Sequence, residues 1–216
     1  MVEEENNKNK SHGYIIGSHD SMTYLSPKRW YLYPFKFIAQ CQSKSIEEQY
    51  NEYGIRYFDI RVSYDEVGNI EFRHGLISYR GNVDEVLEYL NNVGEEVYVR
   101  FLLEGSLVGF KIKNFFNSKK VEEEIRRQKI LFQIDCYKYE RKYNNIKFHC
   151  GRSKWDWEVV YEFKHSELSL DQKISSMTWK KIDDWCPFLY AYFMNAKSLK
   201  EGTDKDVLLI DFIGLK

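Results

Sequence analysis

Gly54-Ile-Arg-Tyr-Phe-Asp-Ile-Arg61, continued by Val62, is the stretch on which the fold turns. From Ile55 to Val62 it alternates bulky β-formers with charges, which predicts a strand. Asp59 and Arg61 lie two residues apart, so their side chains face the same way. Upstream, Ser45-Ile-Glu-Glu48 has capping-box spacing and predicts a helix from there to Tyr53, stopped by Gly54. Further back, Tyr14–Gly17 reads as a short buried strand leading into the polar loop Ser18-His19-Asp20-Ser21.

Downstream, Ile70–His74 is a second short strand closed by Gly75. Asn82 caps a helix to about Asn92, with Val83, Val86, Leu87 and Leu90 on one face. Val97–Leu103, Lys147–Cys150, Glu158–Phe163 and Val207–Ile213 are strand-like. Ser106–Asn145 reads as one or two outer helices with a solvated, charged face. Asp171–Asp184, Phe188–Lys200 and the aromatic run after Pro34 are helix candidates. Strands alternating with amphipathic helices predict α/β. Seven or eight strands in 216 residues predict a compact, irregular (β/α) barrel with short or missing helices, because such barrels take about 250 residues.

Lys plus Arg is 32 and Asp plus Glu is 33, a net charge of −1, which argues against nucleic acid as a partner. With 43% hydrophobic and 30% charged residues the chain is globular. Residues 1–12 read as a disordered tail and 13–216 as a single domain. A monomer is expected. Cys41, Cys136, Cys150 and Cys186 form no CxxC pair, so a zinc site or disulfide scaffold is not expected. No apolar run reaches the roughly 18 residues of a membrane span. The acidic start lacks the features of a secretion signal and favours the cytoplasm.

Polar residues cluster where strands end: His19 and Asp20 after the first, Asp59 and Arg61 in the second, His74 closing the third, Arg100 and Glu104 sharing parity in the fourth, Asp211 in the last. In a barrel such ends converge on one mouth. Two histidines, several aspartates and an arginine suit acid–base chemistry at phosphorus: one imidazole accepts a proton, the other donates one, and the guanidinium holds phosphate. Taken singly, each residue has a plainer reading. His19-Asp20 would be a polar loop, Asp59–Arg61 a salt bridge, and Asp211 a buried structural carboxylate.

Gly17-Ser-His-Asp-Ser21, Gln42-x-x-Ser45-Ile46-x-x-Gln49, Gly54-Ile-Arg-Tyr-Phe-Asp-Ile-Arg61 and His74-Gly75 together resemble the catalytic X-domain of phosphatidylinositol-specific phospholipase C. The match covers roughly residues 14–104 with order and spacing kept; Leu208–Ile213 resembles the last strand of the bacterial members more weakly. The resemblance implies a distorted TIM barrel that cleaves phosphatidylinositol, or another inositol phosphodiester, to a cyclic inositol phosphate and diacylglycerol. It implies His19 as general base, Asp211 holding its imidazole, His74 as general acid and Arg61 stabilising phosphoryl charge. Asp20 would assist His74 or the phosphate-side network, and Asp59 would position Arg61 or His74.

Arg61 stands where the eukaryotic enzymes place a calcium ligand, and a guanidinium has no acceptor. The resemblance is therefore to the metal-independent bacterial type, with no cofactor, and that likeness favours secretion. Arg100, Glu104 and Arg152 are candidate substrate contacts. In Lys28–Phe37, Trp30, Tyr31 and Phe35 could enter lipid, with Lys28, Arg29 and Lys36 meeting anionic head groups; an aromatic helix packed on the barrel is the other reading. Two rival functions share the fold: the same chemistry on a soluble or glycan-linked phosphodiester, and a catalytically silent barrel that binds inositol phosphates or lipid.

Overall fold

A computed structural model describes residues 14–104, 118–153, 159–161, 170–171, 187–201 and 207–215. The chain divides into two compact units whose ranges interleave. The first comprises 1–24, 34–59 and 166–216, the second 25–33 and 60–165.

In the first unit, β1 (Ile15–Ser18) lies between the start of β2 (Tyr57–Tyr64) and β9 (Val207–Ile210), with β8 (Leu170–Asp171) beyond β9. These pairings are all parallel. Parallel strands are covered on both faces, which explains why β9 is wholly apolar and why β2 is buried along its whole length. Gly17 permits the close approach of these strands. A Cβ there would stand 2.5 Å from Leu209 Cδ2 and 3.1 Å from the Tyr57 Cβ and carbonyl oxygen. Gly17→Ala is expected to lower stability by about 1–3 kcal/mol through overpacking. The readout is a fall in the urea midpoint at unchanged slope.

Three described α-helices belong to this unit. α2 (Ile46–Asn51) is shorter than the sequence predicts but starts where expected. Ser45 Oγ accepts from the Glu48 N–H at 3.2 Å, and the Glu48 carboxylate accepts from the Ser45 N–H at 2.8 Å. α5 (Pro187–Glu201) buries Pro187, Ala191 and Asn195, every fourth residue, and packs against the short α1 (Lys36–Ala39). The run after Pro34 is not a long helix: Trp30–Phe35 is a 3₁₀ turn containing Pro34, and only α1 follows. Proline fits a short turn better than a helix interior, where its missing N–H breaks the ladder.

In the second unit the order is β7 (Val159–Tyr161), β6 (Ile146–Ser153), β5 (Val97–Glu104), β2, with β3 (Ile70–His74) and β4 (Ile77–Ser78) off β2. β5 and β6 are parallel over eight residue pairs. β2–β3, β3–β4 and β6–β7 are antiparallel, so hairpins replace helices there and the sheet is mixed. α3 (Val83–Asn91) starts at Asn82, whose side chain accepts from the Asp84 N–H. α4 (Ser118–Lys142) packs on β5 and β6, and Phe101 stacks on Phe132 and meets Tyr139 and Phe148 edge-on.

The sequence expectations on residues 1–12, 106–117, 158, 162–163, 172–184 and Cys186 lie outside the described residues. Asp171, expected to open a helix, sits in β8. Among the described residues, Cys41, Cys136 and Cys150 form no disulfide. No described helix is long and apolar enough to cross a membrane.

Candidate functional site

Register places the site. Phe58 on β2, Ser18 on β1 and Ile210 on β9 form one row. The next residue on each is Asp59, His19 and Asp211. Asp211 therefore follows the last strand rather than lying within it, which corrects the sequence placement. The turn there holds Phe212 at φ 45°, and Asp20 beside His19 has φ 42°. Such a conformation costs a non-glycine residue about 1–3 kcal/mol and is sustained only by the surrounding bonds.

Those bonds come from residues to which the sequence assigned no role. Gln42 donates to the carbonyls of His19 (3.0 Å) and Ile210 (2.8 Å) and accepts from the Ile213 N–H (3.0 Å). Thr23 Oγ1 donates to the Asp20 carbonyl and accepts from the N–H groups of Cys41 and Gln42, each at 2.9 Å. Gln49 donates to the Ser21 carbonyl at 2.9 Å, and Asn195 to the Asp211 carbonyl at 2.7 Å. Gln42 and Gln49 stand in the quoted motif around the capping box, which was the available signal.

The His19 ring is fully buried. Its Nδ1 lies 2.8 Å from Asp211 Oδ1, and its Nε2 lies 3.5 Å from Asp20 Oδ2 and 3.7 Å from Asp59 Oδ2. In the tautomer with its proton on Nδ1, the ring donates to Asp211 and Nε2 is the acceptor. Asp211 Oδ2 is buried with no hydrogen-bond partner among the described residues. Asp59 Oδ2 also accepts from the Asp20 N–H at 3.2 Å, and Cys41 Sγ lies 3.9 Å from Asp20 Oδ2. Three carboxylates around one imidazole attract positive charge. His19, Asp20 and Asp59 set one donor atom each within 4.8 Å of one another, as do His19, Cys41 and Asp211, so either set could hold a cation.

The second unit carries the other candidates. Arg61 is buried in β2 and pairs with Glu104 at 3.4 Å, and Glu104 accepts from the Gly75 N–H at 3.2 Å. Glu104 thus ties the guanidinium to the turn that follows His74, which is half-buried at the end of β3. Arg100, in β5, is 1% exposed. Arg152 is placed by its backbone, opposite Leu103 and Val160.

No protein-family model matches the chain, and no curated protein does. Solved structures do. A variant of the Staphylococcus aureus phosphatidylinositol-specific phospholipase C matches with a TM-score of 0.54 and 14% identity, over 94% of this chain and 87% of its own. The phosphatidylinositol-specific phospholipase C of Listeria monocytogenes matches with a TM-score of 0.51 and 16% identity, over 92% and 87%. A further S. aureus structure, concerned with modulation of that enzyme's membrane binding, gives 0.51, 15%, 94% and 86%. That likeness shows the fold. The chain has a mixed α/β fold similar to these bacterial phospholipases.

Proposed function

We propose that this chain cleaves phosphatidylinositol, or a related inositol phosphodiester, by attack of the inositol 2-hydroxyl on the adjacent phosphorus. The observation that carries the reading is the buried His19–Asp211 pair at 2.8 Å, set at adjacent strand ends in a phospholipase-like fold. His19 Nε2 takes the hydroxyl proton, and Asp211 steadies the imidazolium through Nδ1–H. The 2-oxygen bonds to phosphorus as the bond to the diacylglycerol oxygen breaks. His74 returns a proton to that oxygen. Arg61 neutralises the phosphoryl oxygens, and Asp20 and Asp59 act as positioning residues. The distorted TIM barrel belongs to the same proposal. Because His19 carries no exposed surface, the reading requires the site to open for substrate.

A lipid substrate needs a lipid-facing surface. In the first unit Phe35 and Phe37 are exposed, and α5 presents Phe188, Leu189, Tyr192 and Phe193 outward with Lys197 and Lys200 at its end; in the second unit Trp30 and Tyr31 are exposed. Aromatic rings beside cations suit a bilayer interface. Lys36 does not join them as the sequence suggested. It donates to the Tyr24 carbonyl at 2.7 Å, and partial burial lowers its pKa.

The test is release of water-soluble inositol phosphate from phosphatidylinositol micelles in excess chelator, for the reading takes its positive charge from Arg61. Undiminished release is expected. Loss in chelator, restored by a divalent cation, would favour a second reading in which the His19–Asp20–Asp59 cluster holds a metal ion. Release from a soluble inositol phosphodiester but not from lipid would favour the soluble-substrate alternative.

A further inference from the structure

α4 has two faces. Phe132, Cys136 and Tyr139 are buried against the second unit, while Ile130, Ile134 and Tyr137 on the other side are 47%, 58% and 57% exposed. Scattered apolar residues are ordinary on a protein surface. These are spaced by four and then three, the spacing of a coiled-coil seam. The same spacing extends to Arg127 and Glu123 toward the N-terminus and to Arg141 toward the C-terminus. It is a continuous stripe on a helix of 25 residues.

We infer that this stripe is the interface with a second copy of the chain, the two α4 helices running antiparallel about a two-fold axis near Phe132. Ile130 then meets the partner's Ile134. Arg127, whose guanidinium donates to Glu124 and to the Asp65 carbonyl of its own chain, falls level with the partner's Tyr137 and packs its stem there, while Arg141 lies over Tyr137 at 4.1 Å within one chain. Glu123 meets the partner's Arg141. In the flanking rows Arg126 falls level with the partner's Glu140, and Glu124, which accepts from Arg127 and Gln128 of its own chain, falls level with the partner's Lys138. Every charged contact in this alignment joins opposite signs. A parallel pair would instead set Glu123 on Glu123 and Arg141 on Arg141. The charge order along α4, acidic at Glu122–Glu124 and basic at Lys138–Lys142, therefore selects the antiparallel form, and an isologous contact of this kind closes at two copies. One helix pair is a small interface, so the dimer exchanges with monomer.

Sedimentation equilibrium of the full chain over about a hundredfold range of concentration tests this. The expected result is a monomer–dimer equilibrium. Ile134→Glu should abolish the dimer with an unchanged circular dichroism spectrum, since the side chain is exposed. Glu123→Arg or Arg141→Glu alone should raise the dissociation constant about tenfold. The double variant should recover much of that loss. A monomer throughout, a dimer indifferent to Ile134→Glu, or single reversals that the double variant does not rescue would overturn the inference.

Discussion

His19→Ala is expected to lower kcat on phosphatidylinositol by about 10²–10⁴-fold, the usual contribution of a general base. The fold should persist, because the main chain of His19 is held without its ring. Its N–H donates to the Ile210 carbonyl at 3.0 Å, and its carbonyl accepts from Gln42. The comparison to make is steady-state turnover against thermal unfolding of the same preparation. Near-normal turnover in a folded variant would remove His19 from the mechanism and leave the His19–Asp211 pair a structural one.

Asp211→Asn should cost a similar factor for a different reason. An asparagine in that position can donate to Nδ1, which moves the imidazole proton to Nε2 and leaves no acceptor facing the substrate. The backbone at 211 keeps its bond from Asn195, so the change is in the tautomer more than in the fold. The pH profile separates the two explanations. The dependence of turnover on pH should change shape in Asp211→Asn, because the group that accepts the substrate proton has changed, whereas a packing defect would lower activity evenly across pH. An unchanged profile at near-normal rate would contradict the assigned role.

The parts of this molecule legible in its sequence are those fixed locally. The alternation at Ile55–Val62, the Ser45–Glu48 capping box and the Asn82 cap each act within a few residues, and each appears as an element that starts within about two residues of its expected place. The two-residue β4 and the antiparallel β6–β7 pair depend on partners elsewhere and left no pattern to read. The helix expected after Pro34 shrinks to Lys36–Ala39, because Pro34 holds the preceding residues in a 3₁₀ turn and aromatic side chains lose rotamer freedom in a helix. The end of β9 was hidden for a similar reason, since nothing in Asp211-Phe212 announces a positive φ.

At the site, His19, Asp20, Asp59 and Asp211 were identifiable as polar residues at strand ends, and the structure brings these four together. The roles of Gln42 and Thr23 were not. Gln42 serves a carbonyl 168 residues away, and a contact of that kind has no local spacing. The near-complete burial of Arg100 in β5 has no local signal either, because a strand covered on both faces can hide even a long cation.

The central claim is intramolecular attack by the inositol 2-hydroxyl, and phosphorus NMR of the products tests it most directly. Phosphatidylinositol in detergent micelles, with the protein and excess chelator, should yield the resonance of a five-membered cyclic inositol phosphate as the first product. A linear inositol phosphate formed from the outset, with no cyclic precursor, would mean that water attacks phosphorus and that the proposed mechanism is wrong.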